Sequence, residues 1–181
     1  MNAVESDEAS NEQVWQEDVY SVLKAANVRN VVYVPDAGHS AAIRLAEADP
    51  DVNSVMLTTE EEGIGYLAGA WLGGERGALL MQSSGVGNCI NTLALQVCAR
   101  FPLLMVVTMR GDWAEFNGWQ TPMGQATEKA LKLMGVMTWR ADDPVDVAPL
   151  LHGAATMAFN GDAACALLLG QRLIGEKKWV K

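Results

Sequence analysis

Short apolar runs alternate with helix-forming segments along most of this chain. The runs predicted as strands are 30–34, 54–57, 78–81, 103–108, 136–139 and 164–169. Helical patterns are predicted at 14–26, at 40–48, from the glutamates 60–62 onward, and at 89–100, 124–134 and 145–159. This alternation is typical of βαβ units, whose crossovers place helices on both faces of a parallel sheet. We therefore expect α/β class: a single three-layer α/β/α domain with a mostly parallel six-stranded sheet.

The length of 181 residues suits one domain, predicted at 14–170, and leaves no room for a second cofactor domain. Residues 1–13 are polar and acidic and are expected to be disordered, and 171–181 are expected to form a tail that reaches a partner. Half of the residues are hydrophobic, including six Trp and nine Met. A domain of this size cannot bury all of them, so a large apolar interface is expected.

Charge and cysteine content exclude several classes of protein. The net charge of −9, without a Lys/Arg cluster, argues against nucleic-acid binding. No secretion signal or apolar run long enough to span a membrane is found, so no membrane association is expected. Cys89, Cys98 and Cys165 lie in apolar segments without metal or redox spacing. We expect reduced, structural cysteines in a cytoplasmic protein with no metal site of its own.

Three consecutive glutamates open one of the predicted helices. Thr58 or Thr59 can cap it, and the positive end of the helix dipole favours carboxylates in the first turn. Capping explains two of the three glutamates, but helical spacing also allows Glu60 or Glu61 to face inward. Small residues follow Glu61 along its face of the helix and would admit a flat ligand. Periodicity alone does not choose between Glu60 and Glu61.

A glycine-containing segment follows the predicted strand 78–81. It reads Ser83-Ser84-Gly85-Val86-Gly87-Asn88 and is predicted to form a tight turn into the next helix. Glycines there would allow positive φ and close approach of a ligand, and free amides could bind an anion or a polar ring edge. Many α/β connections contain similar glycine segments, so this segment alone is weak evidence for a binding site. The evidence is stronger when it is taken together with the preceding glutamates.

Together these segments resemble the pyrimidine-binding (PYR) domain of thiamine-diphosphate-dependent 2-oxo acid decarboxylases. The resemblance runs from about Trp15 to Gly170. Within the family, the chain is most similar to the separate α subunits of sulfopyruvate decarboxylase and to the N-terminal half of phosphonopyruvate decarboxylase. The motifs that carry it are Val32-Tyr33-Val34-Pro35-Asp36, Glu60-Glu61-Glu62-Gly63, Gln82-Ser83-Ser84-Gly85-Val86-Gly87-Asn88 and Met123-Gly124.

The resemblance implies a cofactor, site residues and a partner. It places Glu61 on the family's invariant acid, which hydrogen-bonds N1′ of the aminopyrimidine of thiamine diphosphate, and it assigns Ser84, Gly85, Val86 and Asn88 to cofactor binding. The family holds diphosphate and Mg²⁺ through a Gly-Asp-Gly motif, which this chain lacks. A separate diphosphate-binding (PP-domain) β subunit is therefore expected to carry that motif, in a hetero-oligomer built on dimers.

Two loops after predicted strands offer substrate-binding candidates, because open α/β sheets bind ligands there. The first contains Pro35, Asp36 and His39, although these are equally explained as turn and cap residues with an exposed imidazole. The second spans 109–125 and is long for a structureless loop. Its Arg110 could bind a carboxylate, sulfonate or phosphonate, with Gln120 and Gln125 nearby in sequence. Its aromatic residues suit an interface.

Three functions remain open from the sequence. The first is the α subunit of a carbon–carbon lyase, active only with its partner, that decarboxylates 3-sulfopyruvate or phosphonopyruvate. A variant of it is an acetolactate-synthase-like subunit that transfers the product to an acceptor. The second is a non-catalytic binding or regulatory module of the same fold. The third is a dinucleotide-binding domain, but this sequence lacks the Gly-rich turn that such a domain has after its first strand.

Overall fold

The computed structural model describes residues 4–176, with side chains described from Trp15 onward. The strands are β1 (Val28–Tyr33), β2 (Asn53–Met56), β3 (Arg76–Gln82), β4 (Leu103–Thr108), β5 (Met137–Ala141) and β6 (Ala164–Leu169). The helices are α1 (Val4–Ala25), α2 (Ser40–Ala48), α3 (Glu60–Leu72), α4 (Ser83–Cys89), α5 (Leu93–Ala99), α6 (Thr121–Leu133), α7 (Pro144–Gly161) and α8 (Gln171–Ile174). Two 3₁₀ turns, Ala37–His39 and Gly118–Gln120, precede α2 and α6.

The six strands form one sheet in the order β2-β1-β3-β4-β6-β5. Each neighbouring pair is parallel. Strands β4 and β6 are buried along their whole length, which explains why their sequences are continuously apolar rather than alternating. The predicted α/β class and six-stranded sheet are confirmed, and the sheet is parallel throughout.

Helices cover both faces of the sheet and create two cores. One core lies under α1, α2 and α7 and includes Trp15, Val31 and Leu151. The other lies under α3 to α6 and includes Ile64, Val86 and Leu131. The predicted three layers are therefore present.

Several predicted boundaries differ from the structure, and three of the differences change how an element is described. Helix α1 begins at Val4 rather than at residue 14. The disorder expected for residues 1–13 stays a prediction, and residues 1–3 lie outside the described residues. The helix predicted at 89–100 is two helices, α4 and α5. The tail predicted from 171 begins with α8, whose Gln171 is buried, and its residues 177–181 lie outside the described part of the chain.

Among the described residues, none of the helices combines the length and the apolar character needed to cross a bilayer.

Candidate active site

The carboxyl ends of β1, β3 and β4 meet at one edge of the sheet, and the segments that follow them form the candidate site. In the sheet, β1 and β3 are neighbours. The strand that follows β1 in the chain, β2, lies on the far side of β1, and the strand that follows β3, β4, lies on the far side of β3. This divergence opens a crevice beyond the strand ends, where open parallel sheets bind ligands. The loops that the sequence singles out for ligand binding begin at this crevice, and their role there stays a prediction.

Glu60 is the first residue of α3 and turns into the domain, with 8% of its surface exposed. Its Oε2 accepts a hydrogen bond of 2.9 Å from Nδ2 of Asn88 on α4. A Cβ atom added to Gly85 would overlap the carboxyl group of Glu60, so the absence of a side chain at 85 makes room for it. Glu60 is thus a buried carboxylate held between two helices.

The other two glutamates have different environments. Oε2 of Glu62 accepts a hydrogen bond of 2.9 Å from the backbone N–H of Thr58, which is a capping role. The side chain of Glu61 is exposed, and no residue of the described chain hydrogen-bonds to it. The structure brings Glu60, and not Glu61, into contact with α4; the catalytic role predicted for Glu61 stays a prediction.

The segment predicted as a tight glycine turn is helical from Ser83 onward. The glycines with positive φ in the described chain are elsewhere, at Gly74, Gly111, Gly135 and Gly175. At Gly85 the group that approaches closely is the carboxyl of Glu60, and the predicted close approach of a ligand stays a prediction. Glycine disfavours helix formation, which is why the sequence predicts a turn, and packing of this segment against α3 overrides that preference.

The predicted cofactor-binding residues occupy distinct positions on α4. Gly85 and Val86 are buried, and Asn88 is exposed apart from its bond to Glu60. Oγ of Ser84 donates a hydrogen bond of 2.9 Å to Oε1 of Gln82, at the end of β3. Gly85 and Asn88 therefore contact the buried carboxylate directly, whereas Ser84 is bonded to the end of β3.

Asp36 is the centre of a network that joins the ends of three strands. Its Oδ1 accepts from Nε2 of Gln82 at 2.9 Å, and its Oδ2 accepts from Oγ1 of Thr108 at 2.8 Å. The backbone N–H of Gly38 donates to the same Oδ2 at 2.9 Å. These donors stabilise a carboxylate and hold the first loop against β3 and β4.

His39 is buried rather than exposed, with 1% of its surface accessible. Its Nε2 lies 3.2 Å from the backbone oxygen of Met81, and no described residue hydrogen-bonds to its Nδ1. Burial lowers the pKa of the imidazole, against the smaller opposite effects of Asp36 and of backbone carbonyl oxygens. His39 thus packs beneath the loop, while Pro35 is exposed above it.

Arg110 does not offer the free guanidinium that the sequence predicts. Its Nε and a terminal nitrogen each donate to Glu115 at 2.6 Å, with 10% of the arginine side chain and 4% of the glutamate side chain exposed. The hydrogen bonds from Arg110 lower the pKa of Glu115 to about 2, although burial opposes this shift. Gln171 also donates to Glu115, at 2.9 Å. This buried ion pair organises the loop from within. The role of Arg110 in substrate binding stays a prediction.

The rest of the long loop is more ordered than predicted. Nε2 of Gln125 donates to the backbone oxygen of Gly111 at 2.9 Å, so Gln125 closes the loop onto α6. Gln120 ends the 3₁₀ turn, and its Oε1 is buried without a partner among the described residues. The aromatic side chains of the loop, Trp113, Phe116 and Trp119, are largely exposed.

Sequence reasoning missed two residues of this site, Gln82 and Thr108. Each is the last residue of a strand that is otherwise almost entirely apolar, and each donates to Asp36. A polar residue that ends a buried strand is the signal that would have identified them. No group of three potential metal ligands is found among the described residues.

Comparison with known proteins identifies the family. Residues 15–128 match the family model described as thiamine pyrophosphate enzyme, N-terminal TPP binding domain. The chain belongs to this family. Thiamine pyrophosphate is the same compound as thiamine diphosphate, so the predicted resemblance to PYR domains is confirmed.

Relatives of this family member include α subunits of decarboxylases. Sulfopyruvate decarboxylase subunit alpha of Methanococcus maripaludis is 36% identical over 154 residues, which cover 84% of this chain and 92% of that protein. Phosphonopyruvate decarboxylase of Streptomyces viridochromogenes is 31% identical over 157 residues, covering 86% of this chain and 37% of that protein.

A solved structure shows the same fold. 2-Oxoglutarate:ferredoxin oxidoreductase from Magnetococcus marinus, with 2-oxoglutarate, coenzyme A and succinyl-CoA bound, superposes with a TM-score of 0.73 at 14% identity. The match covers 88% of this chain and 29% of that one. At this identity the likeness concerns the fold of the family alone.

Proposed function

We propose that this chain is the PYR-domain α subunit of a thiamine-diphosphate-dependent 2-oxo acid decarboxylase whose active site is completed by a second subunit. The observation that carries the proposal is Glu60, a carboxylate buried against Gly85 and hydrogen-bonded to Asn88 at the carboxyl edge of the sheet. The names of the relatives support the reaction class, and 3-sulfopyruvate is the leading substrate ahead of phosphonopyruvate.

The residues around Glu60 suit the aminopyrimidine ring of the cofactor. A carboxylate can accept a hydrogen bond from a protonated ring nitrogen, and the buried setting strengthens that bond. We assign this role to Glu60, with Glu61 as the second candidate because it is the next residue along α3. Asn88 orients the carboxylate, Gly85 leaves room for it, and Val86 supports this part of α4 from the core. When bound, thiamine diphosphate supplies the nucleophilic carbon and the electron sink for decarboxylation.

Diphosphate and Mg²⁺ would be held by the partner. The chain contains no Gly-Asp-Gly sequence, and no metal-ligand cluster occurs among its described residues. A β subunit that carries such a motif would place the cofactor across the contact between the two chains. The free cysteines agree with a reducing, cytoplasmic setting for this assembly.

The face formed by α3, α4 and α5 suits that contact. The sequence carries no charged residue at 63–74 or at 77–99. Leu72 is 88% exposed, and Leu95 and Val97 are also exposed on this face. An uncharged apolar face beside a buried carboxylate is typical of the core of a subunit interface.

The test is to isolate the tagged chain from its own cells, identify its partner by native mass spectrometry, and measure CO₂ release from 3-sulfopyruvate. We expect release that requires thiamine diphosphate, Mg²⁺ and both subunits, with slower turnover of phosphonopyruvate and pyruvate. A complex that binds no thiamine diphosphate would overturn the proposal in favour of a non-catalytic module. Recovery of a condensed product instead of the free aldehyde would establish the carboligating alternative.

A further inference from the structure

A cavity of about 420 Å³ opens beside the first loop, between residues of that loop, α2 and the ends of β1 and β2. Its apolar walls include Pro35, Ile43 and Met56, and its polar groups include Ser40 and Arg44 of α2. This volume lies within the range of small-molecule sites. The cavity adjoins the candidate active site, because Asp36 lines it and accepts a hydrogen bond from Gln82.

Arg44 differs from the other arginines at this edge of the sheet. Arg110 is paired with Glu115, and Arg140 is paired with Asp112 and Asp142. No carboxylate of the described chain pairs with Arg44, which is exposed and lines the cavity. Its guanidinium therefore has donors available for a ligand that carries acceptor oxygens.

The start of α2 adds to the attraction for an anion. Ser40 lies one turn before Arg44, so both side chains are on one face of the helix. His39, at the N-cap, makes no side-chain capping hydrogen bond, and the first turn of α2 contains no acidic residue. The positive end of the helix dipole is thus not compensated by a carboxylate of its own helix.

Two carboxylates also line the cavity, but both are engaged. Asp36 accepts hydrogen bonds from Gln82, Thr108 and Gly38. Oε1 of Glu47 accepts a hydrogen bond of 2.6 Å from the hydroxyl of Tyr33. Their charges oppose an anion, whereas the charge of Arg44 attracts one, and no described carboxylate pairs with it.

We propose that this cavity binds the sulfonate or phosphonate end of the substrate, with Arg44 as its main ligand and Ser40 as a second donor. This assignment rests on the proposed function, since it supplies a cation for the substrate's anionic group. The guanidinium of Arg110, in contrast, is already paired with Glu115. It makes Arg44 a specificity residue that distinguishes an anionic 3-substituent from the methyl group of pyruvate.

Binding is tested on the full chain by NMR of its ¹³C-labelled methionine methyl groups, with Met56 in the cavity wall as reporter. The probe is 3-sulfopropionate, which has the two anionic groups but no reactive carbonyl, and propionate is the matched control. We expect 3-sulfopropionate to shift the Met56 signal saturably and propionate to leave it unchanged.

Three variants make the test specific. Arg44→Gln should weaken binding about tenfold or more, because a charge-assisted pair is lost. Glu47→Gln should tighten it, because a repelling charge is removed while an acceptor for Tyr33 remains. Arg29→Gln, at an arginine outside the cavity, should change nothing. Unchanged binding in Arg44→Gln, or no response of Met56, would overturn the assignment.

This inference and the proposed function can fail separately. If the complex decarboxylates 3-sulfopyruvate with the same preference over pyruvate after Arg44→Gln, the anion site is refuted and the enzyme stands. If Arg44-dependent binding is found but the assembled complex releases no CO₂, the anion site stands and the decarboxylase proposal is refuted.

Discussion

The carboxyl group of Glu60 occupies the space that a side chain at residue 85 would fill. A Cβ atom added to Gly85 would overlap Cγ, Cδ and Oε1 of Glu60. Residue 85 therefore controls the position of the buried carboxylate, and Asn88, one turn further along α4, holds its Oε2. Helices α3 and α4, which follow different strands, therefore pack closely where Glu60 meets Gly85.

Replacement of Gly85 by Ala should destabilise the protein, although alanine normally favours a helix over glycine by roughly 1 kcal/mol. The overlap with Glu60 should reverse this sign and cost about 1–3 kcal/mol. Gly65→Ala is the matched control, since a Cβ there meets nothing within 4 Å, and it should stabilise the isolated chain by about 0.5–1 kcal/mol. Urea unfolding of the two variants measures both effects, and a stabilising Gly85→Ala would contradict the packing described here.

The buried pair of Arg110 and Glu115 should make stability depend on acid pH. The pKa of Glu115 falls from its ordinary 4.5 to about 2 in the folded chain, mainly through hydrogen bonds from Arg110. The stabilisation is therefore complete above about pH 4.5 and is lost as pH falls towards 2. Glu115→Gln should lower the free energy of unfolding by about 3 kcal/mol at neutral pH.

The measurement is denaturant unfolding of the wild type and of Glu115→Gln at several pH values. The difference in unfolding free energy should narrow between about pH 4.5 and 2. Glu128→Gln is a suitable control, because that glutamate forms an exposed pair with Lys132 and should contribute little. An equal loss in both variants would contradict the structural role of the Arg110–Glu115 pair.

His39 should destabilise the fold in mild acid. Burial lowers the pKa of its imidazole below the ordinary 6.5, so the unfolded chain binds the proton more readily than the folded one. Stability from the neutral imidazole is present above about pH 6.5 and declines as pH falls below it. Unfolding measured from pH 7 to 5.5 should show a smaller decline for His39→Gln than for the wild type. The exposed His152 provides the control, and a matching effect of His152→Gln would contradict the prediction.

Much of the fold was predictable because it depends on local pattern. Strands β4 and β6 were predicted at their observed ends, since each is a continuous apolar run between breaks. Their parallel arrangement followed from the alternation with helices. The start of α4 was not predictable, because two glycines in its sequence indicate a turn and only contact with α3 makes the segment helical.

The pairing of side chains from different loops and helices could not be predicted, because it does not depend on local sequence pattern. Glu60 and Glu61 are both compatible with the first turn of a helix, and which side chain turns into the domain depends on where Gly85 lies in space. Arg110 looked available because its partner, Glu115, lies five residues away in a loop with no regular spacing. Such pairs form only when the loop adopts its folded conformation. The local sequence around either residue does not show which side chains will meet.

The assignment of Glu60 as the acid that binds the aminopyrimidine is tested most directly by comparing Glu60→Gln with Glu61→Gln in the assembled complex. The measurement is thiamine-diphosphate-dependent release of CO₂ from 3-sulfopyruvate. The two variants carry the same chemical change on adjacent residues, so each controls for the other. We expect Glu60→Gln to lower turnover at least a hundredfold while assembly is unchanged, and Glu61→Gln to retain near-normal turnover. The reverse pattern would contradict the assignment of Glu60 and establish Glu61 as the acid, and normal turnover in both would contradict catalysis at this site.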